Sequence, residues 1–230
     1  MEGKHYIPVH MHLHSSHEPS GSIGGHMARA GALGVHHLFT TEHDTRMGEK
    51  SNAIHTFRFV TPDLMQQNEK QSWLGFSEPS VGGYRFDTAE EGYTLSLWGG
   101  AEITFNSFAK RHCDPLLCRP TVTVYGKAEQ GARVTVTFHL SQQPPDFEPA
   151  RLSLPFTGES TAYRLWELVP DSLGGLDNAF CAFSIKVEGD GDASFTLHHV
   201  DFSRELNYEQ VHREQIELVK RLSEKHGVTA

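Results

Sequence analysis

From about Thr56 to about Arg204 the sequence is dominated by short runs in which hydrophobic residues recur at every second position, a period that suits a strand with one buried face. In Arg133 to Leu140, Val134, Val136 and Phe138 alternate with Thr and His; in Cys181 to Val187, Cys181, Phe183, Ile185 and Val187 do the same with small or polar partners. Alternation of this kind marks half-buried antiparallel strands. Tyr93 to Trp98, Thr121 to Tyr125, Ala162 to Leu168 and Ser194 to Val200 add further runs, punctuated by Gly, Pro, Asn and Asp. The pattern predicts an antiparallel β-sandwich of about eight strands.

The flanking sequence has another character. Ile7-Pro8-Val9 leads into His10 to His14, where Met11 and Leu13 share one face and the three histidines the other, as on a strand. The alanine-rich stretch His26 to Leu33 predicts a short helix stopped by Gly34, and Val35 to Thr41 a second strand. A β-α-β crossover sets its strands parallel with their carboxyl ends on one edge, where active sites collect. After Asn207, a residue suited to capping, Tyr208, Val211, Leu218, Val219 and Leu222 recur at helical spacing, and Lys220, Arg221 and Lys225 precede a stop at Gly227. Val228-Thr229-Ala230 reads as the start of another strand. The expected organisation is α/β plus all-β: an α/β first part over 1–55, an inserted sandwich over 56–204, and an α/β continuation over 205–230.

Net charge is -9 with histidines neutral, so the chain lacks the basic surplus a nucleic-acid partner requires. No apolar run approaches the roughly 20 residues of a membrane span, and the first residues carry no apolar leader, so no membrane partner and a cytoplasmic location are expected. The three cysteines, Cys113, Cys118 and Cys181, fall in no paired Cys-x-x-Cys pattern and read as reduced thiols or core filler. Histidine stands out, with 16 in the chain, and those at or before His55 make up the larger part.

His12 and His14 alternate on a strand, about 7 Å apart at the Cα, close enough for both imidazoles to meet one cation. His43 lies between Glu42 and Asp44, which could hold its ring and fix its tautomer; the bland alternative is a solvated polar loop. The β-α-β unit would bring the two elements to one edge.

In order and spacing His12-x-His14, the Ser/Gly turn, the alanine-rich helix ending in Leu33-Gly34 and Thr41-Glu42-His43-Asp44 resemble the first two motifs of the polymerase and histidinol phosphatase (PHP) superfamily. The resemblance covers only the flanking segments, and it departs from the family where His10 and Glu42 stand in place of Asp. It implies a partial distorted β/α barrel and a phosphoesterase in which zinc, manganese or iron generates a hydroxide that attacks a small phosphorylated substrate. His12, His14 and His43 match the family's metal ligands; His10, His17, Glu18, Glu42 and Asp44 are outer-shell or weaker candidates, and no general acid or base is assigned. The family's later motifs have no counterpart before Ala230, so the chain is expected to be the front of a longer enzyme.

The alternative is a non-catalytic binding module. Phe195 to Phe202 is loosely similar to the closing strand of jelly-roll modules that bind sugars, and Trp73, Tyr84, Tyr93, Trp98 and Trp166 are either sandwich core or a platform for a carbohydrate. His198 and His199, as neighbours on a strand, should face opposite sides unless a bulge intervenes. Glu188 to Asp192 reads as a hairpin turn rather than a calcium loop, and oligomeric state is left open.

Overall fold

A computed structural model describes residues 9–14, 22–41, 51–62, 64–67, 73–107, 114–129, 131–143 and 148–230. Strands β1 (Val9–His14) and β2 (His37–Thr41) pair in parallel around helix α1 (Ile23–Ala32). The remaining strands are β3 (His55–Thr61), β4 (Leu64–Gln67), β5 (Trp73–Ser77), β6 (Gly83–Ala89), β7 (Gly92–Trp98), β8 (Glu102–Ser107), β9 (Asp114–Pro115) and β10 (Pro120–Ala128). They continue through β11 (Arg133–Gln143), β12 (Glu148–Pro155), β13 (Ser160–Arg164), β14 (Ala179–Glu188) and β15 (Ser194–Arg204), with helices α2 (Leu165–Leu168) and α3 (Tyr208–His226).

Strands β3 to β15 form one 13-stranded antiparallel ladder, ordered β12-β11-β14-β8-β5-β4-β3-β7-β15-β10-β13, with β6 on β7 and β9 on β14. The ladder bends back on itself through β5, β4 and β3: Phe138 of β11 and Tyr163 of β13, near its opposite ends, touch edge to face with ring centroids 5.1 Å apart. One layer is therefore β12, β11, β14, β8 and β5, and the other is β3, β6, β7, β15, β10 and β13. Alternation drives the closure. On β10 every other residue from Pro120 to Gly126 is buried, and Val134, Val136 and Phe138 on β11 and Phe183, Ile185 and Val187 on β14 enter the same core. Phe105 stacks on Phe183 at 4.8 Å, and each fully buried phenyl contributes about 1.5–3 kcal/mol relative to exposure.

A second, smaller core joins α1 to α3. Ile23, Met27, Ala30 and Leu38 pack with Val211, Leu218 and Val228, and with Leu117 and Cys118 of a turn that follows β9. Ser22 caps α1 through Gly25 N (2.9 Å), and Asn207 and Gln210 form a reciprocal capping box on α3 with both bonds at 2.8 Å. The left-handed Gly227 (φ 66°) ends α3. Thr229 then pairs with β2, accepting from Leu38 N at 2.8 Å and donating to His36 O at 2.9 Å.

Three expectations are corrected. The first is the barrel: among the described residues the parallel part consists of β1, β2 and the single bridge at Thr229, and all the other strands pair antiparallel. A motif at the ends of two strands constrains those strands and not the closure of a barrel. The second is the sandwich, which is larger than eight strands: β4 and β9 are too short to show a period, and the alternation of Tyr84 and Phe86 on β6 and of Ala150, Leu152 and Leu154 on β12 is brief and bounded by Gly and Pro. The third is the turn at Glu188 to Asp192. It links β14 to β15, which lie in different layers, so the connection crosses the sandwich and forms no hairpin.

Candidate functional site

On β15 the ladder with β10 runs from Ala128↔Phe195 to Gly126↔Leu197 and resumes at Tyr125↔His199. His198 is the extra residue, so this bulge turns both His198 and His199 away from the core, whereas strict alternation would have buried one of them. His198 is exposed and His199 half-buried. On the neighbouring strands Tyr125 of β10 and Arg58 of β3 stand directly opposite His199, and Ser160 of β13 stands opposite Tyr125. One outward row across four strands thus reads Arg58, His199, Tyr125, Ser160.

The two rings of this row stack, with centroids 4.1 Å apart and planes 14° from parallel. Rings stacked across neighbouring strands stand up from the sheet, so the second face of the Tyr125 ring looks towards Ser160, a small exposed residue that leaves it open. In the next row Asp201 accepts from Thr56 Oγ1 at 2.7 Å. Burial first, then the nearby Asp201 charge and a hydrogen bond to it, push the Tyr125 phenol up, so it stays protonated as a donor. Burial and the neighbouring Arg58 hold the His199 imidazole below its usual range, against the opposite pull of Asp201, so it is neutral at pH 7. Neutral imidazole offers one donor and one acceptor. Arg58 reaches Glu91 through Nε at 2.8 Å.

A third ring lies further along the same outward face. Trp98 ends β7 opposite Gly83 of β6 and Ser194 of β15. A Cβ on Gly83 would fall 2.6 Å from Cε2 and Cζ2 of the indole, so the ring lies over the bare glycine. The other side of the ring faces outward, and the residue is 40% exposed. Between Trp98 and the ring pair run hydroxyls and one ion pair: Ser96 Oγ and Thr196 Oγ1 are 3.2 Å apart, Ser96 donates to Asp87 at 3.4 Å, and Arg85 Nε meets Asp87 at 2.9 Å.

Chemically this face combines flat apolar ring surfaces with neutral donors, hydroxyls and carboxylate acceptors, and among the described residues it carries no exposed activated nucleophile. On the opposite layer His139 Nε2 and Ser184 Oγ lie 2.7 Å apart, but Ser184 is 1% exposed and shares its oxygen with Thr104 at 2.9 Å. Burial, and Arg151, hold His139 below its usual range. That pair secures strand contacts and presents nothing to a substrate.

The sequence-derived candidates divide. His10, His12 and His14 lie on β1, where the register His14↔Thr41 sets the end of β1 beside the end of β2. Glu42, His43, Asp44, His17 and Glu18 lie outside the described residues, as does the side chain of Trp73. Among the described residues no group of three or more His, Cys, Asp or Glu is placed to hold a metal ion, and no helix is long and apolar enough to cross a membrane. Tyr93 packs against the core, as does Tyr84, whose hydroxyl reaches Glu78 at 2.8 Å. Trp166 is also core-packed, beneath the Arg119 guanidinium at 5.4 Å from its ring. Of the aromatic candidates Trp98 alone proves exposed among those described. Tyr125, His199, Asp201 and Arg58 were missed, although the outward phase of Tyr125 follows from the buried Val122 and Val124 beside it.

No family model matches the chain, and no curated protein matches it. Solved structures do. A low affinity xylan binding module, CBM86 from Roseburia intestinalis, is 12% identical over 66% of this chain and 96% of its own, with a TM-score of 0.38. The family 11 carbohydrate-binding module of Clostridium thermocellum, in complex with a mixed-linked tetrasaccharide, is 8% identical over 68% and 100%, at 0.39. The CBM22-1 xylan-binding domain from Paenibacillus barcinonensis is 12% identical over 69% and 99%, also at 0.39. The expected membership of the PHP superfamily, and with it the phosphoesterase acting through zinc, manganese or iron on a small phosphorylated substrate, is corrected: thirteen of the described strands pair in one antiparallel ladder, and only β1 and β2 form a parallel pair of the kind a β/α barrel is built from.

Proposed function

We propose that the protein is a non-catalytic binding module that takes a carbohydrate on the outward face of the layer containing β3, β7, β15 and β10. The observation that carries this reading is the stacked Tyr125–His199 pair, set between the Arg58 guanidinium and the open ground over Ser160, with Asp201 and Thr56 in the adjoining row. A pyranose presents C–H groups on its faces and hydroxyls around its rim. An aromatic face takes the former, and a fixed arrangement of carboxylate, guanidinium and neutral imidazole takes the latter.

Affinity electrophoresis of the chain through gels cast with soluble neutral polysaccharides tests the reading. Retardation is expected for at least one polysaccharide. Tyr125→Ala should weaken it about two- to tenfold, since a ring contact is worth about 0.5–1.5 kcal/mol and each 1.4 kcal/mol is tenfold. Unretarded migration in every gel, with wild type and variant alike, refutes it.

A further inference from the structure

The Tyr125–His199 pair and Trp98 share one outward face of the sandwich and lie at different levels along it. Ser194, directly opposite Trp98, and His199 are the two ends of a stretch of β15 that also carries Thr196 and His198 outward. At about 3.3 Å per residue, shortened by the bulge, the stretch is about 15 Å long. A single pyranose cannot touch both ends. The ground between is polar and open, formed by the Ser96 and Thr196 hydroxyls, the Arg85–Asp87 pair and the exposed His198. Among the described residues of β7 and β15 the outward positions between the two ends are Thr94, Ser96, Ser194, Thr196 and the bulged His198, whose imidazole is a further polar group along the stretch.

Trp98 has the geometry of a platform rather than of a core residue displaced outward. Its ring is laid over Gly83, where any side chain would collide with it, and its second face is open.

We infer that Trp98 and the Tyr125–His199 pair are the two ends of one elongated binding strip, and that its ligand is an extended neutral oligosaccharide several residues long, lying along β7 and β15. The inference rests on the carbohydrate reading above and adds to it the class of ligand: the interior of a straight polysaccharide chain, and not a monosaccharide or a chain terminus. A straight chain meets successive rings with successive sugar faces while its hydroxyls reach the Ser96, Thr196 and Asp87 oxygens between them.

Isothermal titration of the full chain with cello- and xylo-oligosaccharides, from the disaccharide to the hexasaccharide, tests it. Affinity for one series should rise at least tenfold with length and level off once the chain reaches both ends. Trp98→Ala should lower hexasaccharide affinity about tenfold and flatten the length dependence, and Trp98→Phe should restore part of both. Indole fluorescence should shift on adding hexasaccharide to the wild type and not to Trp98→Phe. Affinity that is the same for disaccharide and hexasaccharide, or hexasaccharide binding that Trp98→Ala leaves unchanged while Tyr125→Ala abolishes it, overturns the strip and leaves the carbohydrate reading standing. No binding of any oligosaccharide or polysaccharide overturns both.

Discussion

Asp177 is the strongest test of how the two cores are joined. It sits in the 3-10 turn Gly175–Asp177 that leads into β14, is 6% exposed, and accepts from the backbone N of Gly24 at 2.8 Å, at the start of α1. Burial pushes its carboxyl up to about 7 from an ordinary 3.8, against hydrogen bonds from Gly24, Ile23 and Ser22 and the Lys225 charge, which all pull it down. The unfolded chain gives up this proton near pH 4 and the folded chain near pH 7. The stability Asp177 contributes as a neutral acid is therefore fully present below about pH 4 and is lost as pH rises through about 7. The rise corresponds to about 4 kcal/mol, of which somewhat more than half falls between pH 5 and pH 8. Asp177→Asn keeps the shape and an acceptor for Gly24 but cannot ionise. His139, His199 and His226 are held below their usual range by burial, so their contributions run the other way, growing as pH rises towards 6.5. Wild type and variant share them, and the difference between the two isolates Asp177. Urea unfolding at pH 5, 6, 7 and 8 should show the variant gaining about 2–3 kcal/mol on the wild type across that range. Parallel stability curves would refute the reasoning.

Two further outcomes follow from packing. Asn207→Ala removes one arm of the reciprocal cap on α3 and should cost about 1 kcal/mol, with faster amide exchange confined to the first turn of the helix. Phe138→Ala empties a fully buried site bordered by Tyr163, Phe180 and Phe183 and should cost about 3–5 kcal/mol in urea unfolding; a loss under 1 kcal/mol would show that the two layers do not meet there.

How far the sequence could be read depended on whether a signal was local. Alternation along 133–140 and 181–187 anticipates β11 and β14, and Asn207 and Gly227 mark the ends of α3, because period and capping are written within each element. Edge strands carry less of that signal. β12 lies at one end of the ladder, where Pro149 and Pro155, which an edge tolerates, bracket the short alternation of Ala150, Leu152 and Leu154 and read as turn punctuation. The run Ala162 to Leu168 was expected as one strand but breaks at Arg164 into α2, since Leu165 enters the core while the backbone turns. The resemblance to a barrel enzyme rested on two short motifs, and partners for β1 and β2 are a matter of the whole topology. At the site the decisive event is the bulge at His198, a property of register between two strands that neither strand shows alone.

The smaller core also sets an order of assembly. Its members come from Ile23 to Leu38 and from Val211 to Val228, separated by the entire sandwich, with Leu117 and Cys118 supplied from the sandwich's middle. Closing so long a loop has an entropic cost that falls once the intervening strands are in place. Helix α1 therefore has neither its packing partner nor its Asp177 clasp until the sandwich has formed and α3 has followed it, and on a ribosome it must wait through nearly two hundred residues of synthesis. A destabilised sandwich would thus release α1 as well. A lesion in β11 or β14 should be felt first as exposure of a helix far from it in sequence.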